Sequence, residues 1–131
     1  MNATLTSQQR NAVLISMEKL IGEEKSALLE ANKTDVKNYN GNDLAMVDRL
    51  KVDEEKIQEM ILSLKQLVAD VDPIGKELYH FTHENGLKIT NKTAPFGTVL
   101  IIYESRPDVT VEAAGIAFKS GNKILLKGGK E

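Results

Sequence analysis

Residues 98–127 read TVLIIYESRPDVTVEAAGIAFKSGNKILLK, and this stretch decides the fold. The apolar runs at 98–102 and 123–127 are typical of strands that are buried on both faces of a parallel sheet. Residues 109–119 lie between them and are rich in small side chains, so they predict a helix that approaches the sheet closely. Gly121 is suited to end this helix in a left-handed conformation. The stretch predicts a strand-helix-strand unit with parallel strands and a right-handed crossover.

The residues that precede this unit have mainly helical patterns. Thr6 is followed three residues later by glutamine, the spacing of a capping box, and apolar residues then recur at helical intervals over 13–28. We expect Gly41 to separate this first helix from a short second one over 42–50. The clearest helical periodicity lies in residues 53–70, whose apolar residues trace one face.

These patterns divide the chain into three regions. Residues 1–75 form a helical region, residues 76–97 contain a half-exposed strand at 87–92 and a connector, and residues 98–131 hold the strand-helix-strand unit and a following loop. The predicted fold is α/β: N-terminal helices followed by the start of a Rossmann-like parallel sheet. Two core strands leave much edge and apolar surface unpaired, so we expect an incomplete domain.

The composition excludes several classes of function. The chain has 131 residues, 41% hydrophobic and 27% charged, which suits one soluble domain. Its net charge of -2 disfavours nucleic acid or an anionic membrane as a partner. The polar N-terminus and the lack of a long apolar run predict a cytoplasmic protein. With no cysteine and only His80 and His83 as histidines, we expect no metal site and no cysteine nucleophile in this chain.

Chemistry in an open parallel sheet concentrates beyond the carboxyl ends of the strands. Arg106 follows the strand at 98–102 and precedes a helix, where its guanidinium can make bidentate contacts to a phosphate or a carboxylate. Equally, it can pair with Glu104 or Asp108 on the surface. Ser105, next to it, can donate a hydrogen bond to a developing oxyanion.

The second strand ends in another candidate loop. Gly128 and Gly129 would let the backbone approach a nucleotide, while Lys127 and Lys130 meet ribose hydroxyls or phosphate. The loop is neither a Walker A motif nor a Gly-x-Gly-x-x-Gly fingerprint. An ordinary glycine turn would produce the same spacing, so this alternative stays open.

A family resemblance appears when the two loops are taken with their surroundings. Residues 94–110, APFGTVLIIYESRPDVT, resemble the signature of the γ-glutamyl phosphate reductases, also called glutamate-5-semialdehyde dehydrogenases, and residues 120–122 and 125–131 continue it. Residues 48–50 and 72–75 resemble the same family. The resemblance implies an aldehyde dehydrogenase superfamily fold, with a nucleotide-binding domain, a catalytic domain and a small oligomerisation sheet. It also implies reduction of L-glutamyl 5-phosphate to L-glutamate 5-semialdehyde and phosphate by NADPH, in proline biosynthesis.

The resemblance also implies roles for individual residues. Ser105 lies where many aldehyde dehydrogenases have the asparagine that stabilises the oxyanion, and Arg106 is a candidate for the acyl phosphate or the substrate carboxylate. Lys127 matches the lysine that contacts the adenosine ribose, and Gly128, Gly129 and Lys130 would complete that part of the NADP(H) site, with the two lysines favouring NADP over NAD. The family's nucleophilic cysteine is expected beyond residue 131. We therefore expect an N-terminal part of the NADP-binding domain that is inactive alone.

The resemblance further implies a homo-oligomer for the full-length enzyme, with glutamate 5-kinase as a candidate partner. Lys130 stands where several relatives have serine and resembles the reductase half of bifunctional synthases, so a monofunctional or a bifunctional parent is open. One alternative is a non-catalytic nucleotide-binding or interaction module whose sheet is completed by another chain. Another is a superfamily member that acts on a different acyl group.

Overall fold

The computed structural model describes residues 5–104 and 106–129 of the chain. Within these residues it contains five helices and four strands. In chain order they are α1 (Ser7–Glu23), α2 (Lys25–Asn38), α3 (Leu44–Leu50), α4 (Glu54–Ala69), β1 (Glu77–Thr82), β2 (Lys88–Lys92), β3 (Thr98–Ile102), α5 (Pro107–Lys119) and β4 (Lys123–Lys127).

The predicted strand-helix-strand unit is confirmed. β3 and β4 pair in parallel, in register from Thr98 opposite Lys123 to Ile102 opposite Lys127. The helix between them begins at Pro107, two residues earlier than predicted, because the fixed φ of proline suits the first helical position. Gly121 has φ 73° and ends the helix, as expected.

The prediction that these strands are buried on both faces is wrong for the described chain. Successive side chains of a strand point to opposite faces, and α5 covers only one of them. Val99 and Ile101 are half-buried on that side. Leu100 and Ile102 are 57% and 67% exposed on the other. The described residues therefore cover one face of the sheet and leave an apolar face open.

The hydrophobic core lies among the helices α1, α4 and α5. Leu14, Ile57 and Leu64 are fully buried there. The apolar face of α4 was predicted correctly, and its N-cap Asp53 accepts a hydrogen bond from the Lys56 amide. α5 was expected to turn its small residues to the sheet, but Gly115 faces Leu64 of α4. The close approach that Gly115 allows is thus between two helices, whereas Ala113 and Ala117 line the side of α5 that faces β3.

The first predicted helix is in fact two helices. The capping box at Thr6 is confirmed, but the helix changes direction at Glu24, which has φ -92° and ψ 13°. The Glu24 amide still donates to the Leu20 carbonyl at 2.9 Å, so the chain bends while this hydrogen bond is kept. The periodicity of the sequence continues across the bend and gives no sign of it.

Residues 77–92 form a β-hairpin, of which the sequence predicted only the second strand. β1 pairs with β2 in antiparallel fashion, and Gly86 in the turn has φ 87°. Every residue of β1 is exposed, and of β2 only Asn91 is partly buried, so β2 is more exposed than expected. His80 belongs to β1, and its Nδ1 lies 2.6 Å from Glu77 Oε1.

The described residues contain neither a membrane-spanning helix nor a cluster that could hold a metal ion. Among residues 5–104 and 106–129, no helix combines the length and the apolar character needed to cross a bilayer. Within that same part of the chain, no three His, Cys, Asp or Glu side chains come together in a way that would hold a metal ion.

Candidate functional site

The two loops that the sequence singled out lie side by side. β3 and β4 end at one edge of the sheet, with Ile102 opposite Lys127. The next amide, that of Tyr103, donates to the Lys127 carbonyl at 3.0 Å and extends the pairing by one residue. A methyl group placed on Gly128 would lie 3.7 Å from the Tyr103 ring. The substrate and cofactor candidates therefore flank the same edge.

Tyr103 joins three parts of this edge, and sequence reasoning missed it. Its hydroxyl lies 2.6 Å from Thr110 Oγ1 in the first turns of α5. Its amide bonds to β4, and its ring packs beside Gly128. An aromatic residue after a strand gives no signal of such a role, since each of the three contacts depends on the tertiary fold.

Arg106 is the N-cap residue of α5, with φ -135° and ψ 88°. Its Nη2 lies 3.1 Å from Asp108 Oδ2, so the pairing with Asp108 that the sequence left open is present. The Arg106 side chain is nonetheless 55% exposed. A guanidinium has five N–H donors, and one ion pair leaves others available to an anion. The pairing orients Arg106 without excluding a binding role.

An open hollow of about 520 Å³ lies beside this loop. Its lining combines charged, aromatic and aliphatic side chains: Arg49, Ile102, Tyr103, Glu104 and Arg106. Arg49 comes from α3, more than fifty residues before the loop. The sequence grouped residues 48–50 with the family-like segments but gave no reason to place this guanidinium at the site.

The end of α3, which carries Arg49, is fixed by a buried amide. Asn32 is 7% exposed, and its Nδ2 donates to the Leu50 carbonyl at 2.8 Å. Its Oδ1 accepts from the Val52 amide at 2.7 Å. Both backbone groups flank the end of a helix, where such groups lack intrahelical partners. Asn32 thereby ties α3 to α2.

A larger hollow of about 700 Å³ lies along the face of β3 that α5 covers and extends to the connector before that strand. It is mainly apolar, and Glu112 is the one titratable residue in its lining. Phe96 and Ile116, which line it, are 94% and 55% exposed. This larger hollow has few side chains that could take part in chemistry, whereas two arginines and a glutamate line the smaller one. The smaller hollow is therefore the better candidate site.

Only some of the predicted site residues lie in the part of the chain that the structure describes. Lys127 ends β4, and Gly128 and Gly129 follow it as exposed residues. Ser105 and Lys130 lie outside the described residues. The described part has exposed glycine backbone directly after β4, with the ammonium group of Lys127 beside it. The roles of all these residues stay predictions.

The chain is similar in sequence to enzymes from several bacteria. It is 40% identical to the gamma-glutamyl phosphate reductase of a Sulfurihydrogenibium species, over 98% of this chain and 29% of that protein. With the enzyme of the same name from Clostridium botulinum it shares 41% identity over its whole length, 32% of the relative. The chain spans about 30% of the length of the curated relatives that it matches. No protein-family model matches it.

Solved structures of the same name have the same fold over this region. The gamma-glutamyl phosphate reductase of Thermotoga maritima superposes with a TM-score of 0.88 and 38% identity, covering 98% of this chain and 31% of that one. The Saccharomyces cerevisiae enzyme gives a TM-score of 0.92 at 32% identity, over 97% of this chain and 33% of that one. The predicted α/β fold and the family resemblance are both confirmed.

Proposed function

Because this chain is homologous, over 98% of its length, to part of the gamma-glutamyl phosphate reductases, we propose that it contributes to that activity. The reaction is the NADPH-dependent reduction of L-glutamyl 5-phosphate to L-glutamate 5-semialdehyde and phosphate, in proline biosynthesis. The observation that carries the proposal is the identity of about 40% to proteins of that name along nearly the whole chain. The placement of both candidate loops at one sheet edge supports it.

The chain supplies two parts of the proposed site. Arg106 binds an anionic end of the substrate, since it is exposed at the N-terminus of α5, where the helix dipole also favours an anion. Ser105 donates to the developing oxyanion. Attack on the acyl phosphate requires a nucleophile, and none of the 131 residues is a cysteine. The thiol would come from outside them, so these 131 residues alone should be inactive.

The loop after β4 binds the adenosine end of the cofactor. Lys127 contacts the ribose, and with Lys130 it favours a 2′-phosphate, hence NADP(H) over NAD(H). Gly128 and Gly129 allow the cofactor to approach the backbone. When bound, NADPH supplies the hydride. The homo-oligomer and the kinase partner stay predictions.

The test is run on the protein expressed from its complete reading frame. In the reverse direction, glutamate 5-semialdehyde, phosphate and the oxidised cofactor yield glutamyl phosphate and the reduced cofactor. The absorbance of the reduced cofactor measures the reaction rate. We expect kcat/KM to be at least about tenfold higher with NADP than with NAD, the effect of one charge-assisted hydrogen bond. Lys127→Met should reduce this preference. Lys123→Met, at the other end of β4, should leave it unchanged.

Each result has a defined consequence. A folded complete protein without this activity would contradict the enzyme proposal and favour a nucleotide-binding or interaction module. Equal rates with NAD and NADP would contradict only the cofactor preference. Activity from the 131 residues alone would show that the reaction does not need a thiol from outside these residues.

A further inference from the structure

Arg49 brings a second guanidinium to the candidate substrate hollow. It lies in the last turn of α3 and lines the same hollow of about 520 Å³ as Arg106. The two arginines reach this hollow from different elements, α3 and the start of α5. A ligand held between them would need two anionic groups, or one large one.

The charge of Arg49 is not neutralised by a carboxylate within the described residues. Within the described residues, the Arg49 Nη1 donates to the Met46 sulfur at 3.9 Å. Arg106, in contrast, is paired with Asp108 at 3.1 Å. An exposed guanidinium beside a hollow, with its donors unused by acidic neighbours, is well suited to bidentate binding of a carboxylate.

The backbone that carries Arg49 is held in place. Asp43 caps the start of α3 by accepting from the Ala45 amide at 2.9 Å, and Asn32 holds the end of the helix through Leu50 and Val52. A fixed backbone reduces the ordering cost that the side chain adds to binding. The short helix therefore presents Arg49 to the hollow from a preorganised position.

We propose that Arg49 binds the α-carboxylate of the glutamyl group, which makes it a specificity-determining residue of the substrate site. This rests on the function proposed above. Arg106 adjoins Ser105 in sequence, the proposed oxyanion donor, so it is placed for the reacting acyl phosphate end. Arg49 approaches from another helix and is available to the far end of the substrate, where the α-carboxylate is the remaining anion.

The reverse reaction separates the two anions into two substrates. Glutamate 5-semialdehyde carries the α-carboxylate, and inorganic phosphate takes the place of the phosphoryl group. In the protein from the complete reading frame, Arg49→Gln should raise KM for the semialdehyde about ten- to a hundredfold, the range for a lost hydrogen bond to a charged group. KM for phosphate and for NADP should stay unchanged. Arg49→Lys should restore part of the loss, because it keeps the charge without the planar fork.

Lys51→Gln is the matched control, since it removes one positive charge from an exposed residue just beyond α3. It should leave all three KM values unchanged, and thermal unfolding should show that each variant is folded. An unchanged semialdehyde KM in Arg49→Gln, or a rise in phosphate KM instead, would overturn the assignment while the proposed function stands. An inactive wild-type protein would overturn both.

Discussion

At the scale of single residues, Arg10 is one of the least exposed charges of the described chain, and it is held by one carboxylate. Arg10 is 3% exposed, and its Nη2 lies 2.5 Å from Asp72 Oδ2. Its Nη1 also donates to the Leu5 carbonyl. Asp72 in turn accepts from the Ile74 amide at 3.0 Å. The pair joins the first turn of α1 to the connector that leads into the hairpin.

Asp72→Asn should destabilise the protein by about 2 kcal/mol at neutral pH. A buried guanidinium would lose its counter-ion, but the Asp72 side chain is 29% exposed and solvent screens part of the loss. The Ile74 amide, then Ser7 and Arg10, hold the pKa of Asp72 below its usual 3.8, against the opposing effect of burial. A lowered folded-state pKa means that the stabilisation is present above the unfolded pKa and is lost as pH falls through the folded one.

Urea denaturation as a function of pH checks this prediction. The difference in stability between wild type and Asp72→Asn should be full above about pH 5. It should narrow as the pH falls below about 4, through the lowered pKa of Asp72 in the folded protein. Asp35→Asn, on the exposed side of α2, is the control and should show little change at any pH. A gap that persists at low pH would mean that the pair's charge is not the source of the stabilisation.

At the scale of elements, the packing of α5 against α4 depends on one glycine. A Cβ on Gly115 would lie 2.8 Å from Leu67 Cδ1 and 3.1 Å from Leu64 Cδ2. Leu67 is partly exposed and can move, whereas Leu64 is fully buried. Gly22, in the last turns of α1, is the opposite case, since its Cβ would meet only Ile61 Cδ1 at an ordinary 3.8 Å.

The two glycines should therefore respond differently to alanine. Gly22→Ala should stabilise the protein by up to about 1 kcal/mol through helix propensity. Gly115→Ala gains the same propensity but forces overpacking, which costs about 1–3 kcal/mol, so its net effect should be destabilising. Midpoints of thermal or urea unfolding would measure both. A stabilising Gly115→Ala would show that α4 and α5 can separate at little cost.

The elements also show why sequence predicts some features and not others. The cap at Thr6 was predictable because a capping box depends on a few neighbouring residues. β1 was missed because Leu78, Tyr79 and Phe81 do not alternate regularly with polar residues, whereas β2 shows that alternation. The bend at Glu24 was missed because helical periodicity continues on both sides of it.

The same distinction applies to the candidate site. The placement of Arg106 and Lys127 at one edge of the sheet could be predicted, because Arg106 follows β3, Lys127 ends β4, and parallel strands end at a common edge. Arg49 and Tyr103 could not, since their roles depend on contacts among α3, α5 and the loops. Site residues that belong to the strand-helix-strand unit can be predicted from its sequence. Site residues that come from distant elements can be found only in the tertiary structure.

At the scale of the whole molecule, we expect another layer of structure to cover the open face of the β3–β4 sheet. Leu100 and Leu125 are paired across the strands and are 57% and 59% exposed, next to Ile102 at 67%. Parallel sheets are covered on both faces almost without exception, and contiguous apolar patches mark interaction surfaces. The relatives, more than three times as long, have further chain available for that purpose.

Leu100→Lys tests whether this face is covered in the protein from the complete reading frame. If another layer packs on it, the substitution buries an unpaired charge and should lower the free energy of unfolding by about 3 kcal/mol or more. Leu62→Lys is the matched control, because Leu62 is 61% exposed as a single apolar residue on the outer side of α4. It should change stability by less than about 0.5 kcal/mol. Urea denaturation of both variants measures the contrast, and equal, small effects would mean that this face of the sheet is open to solvent in the complete protein as well.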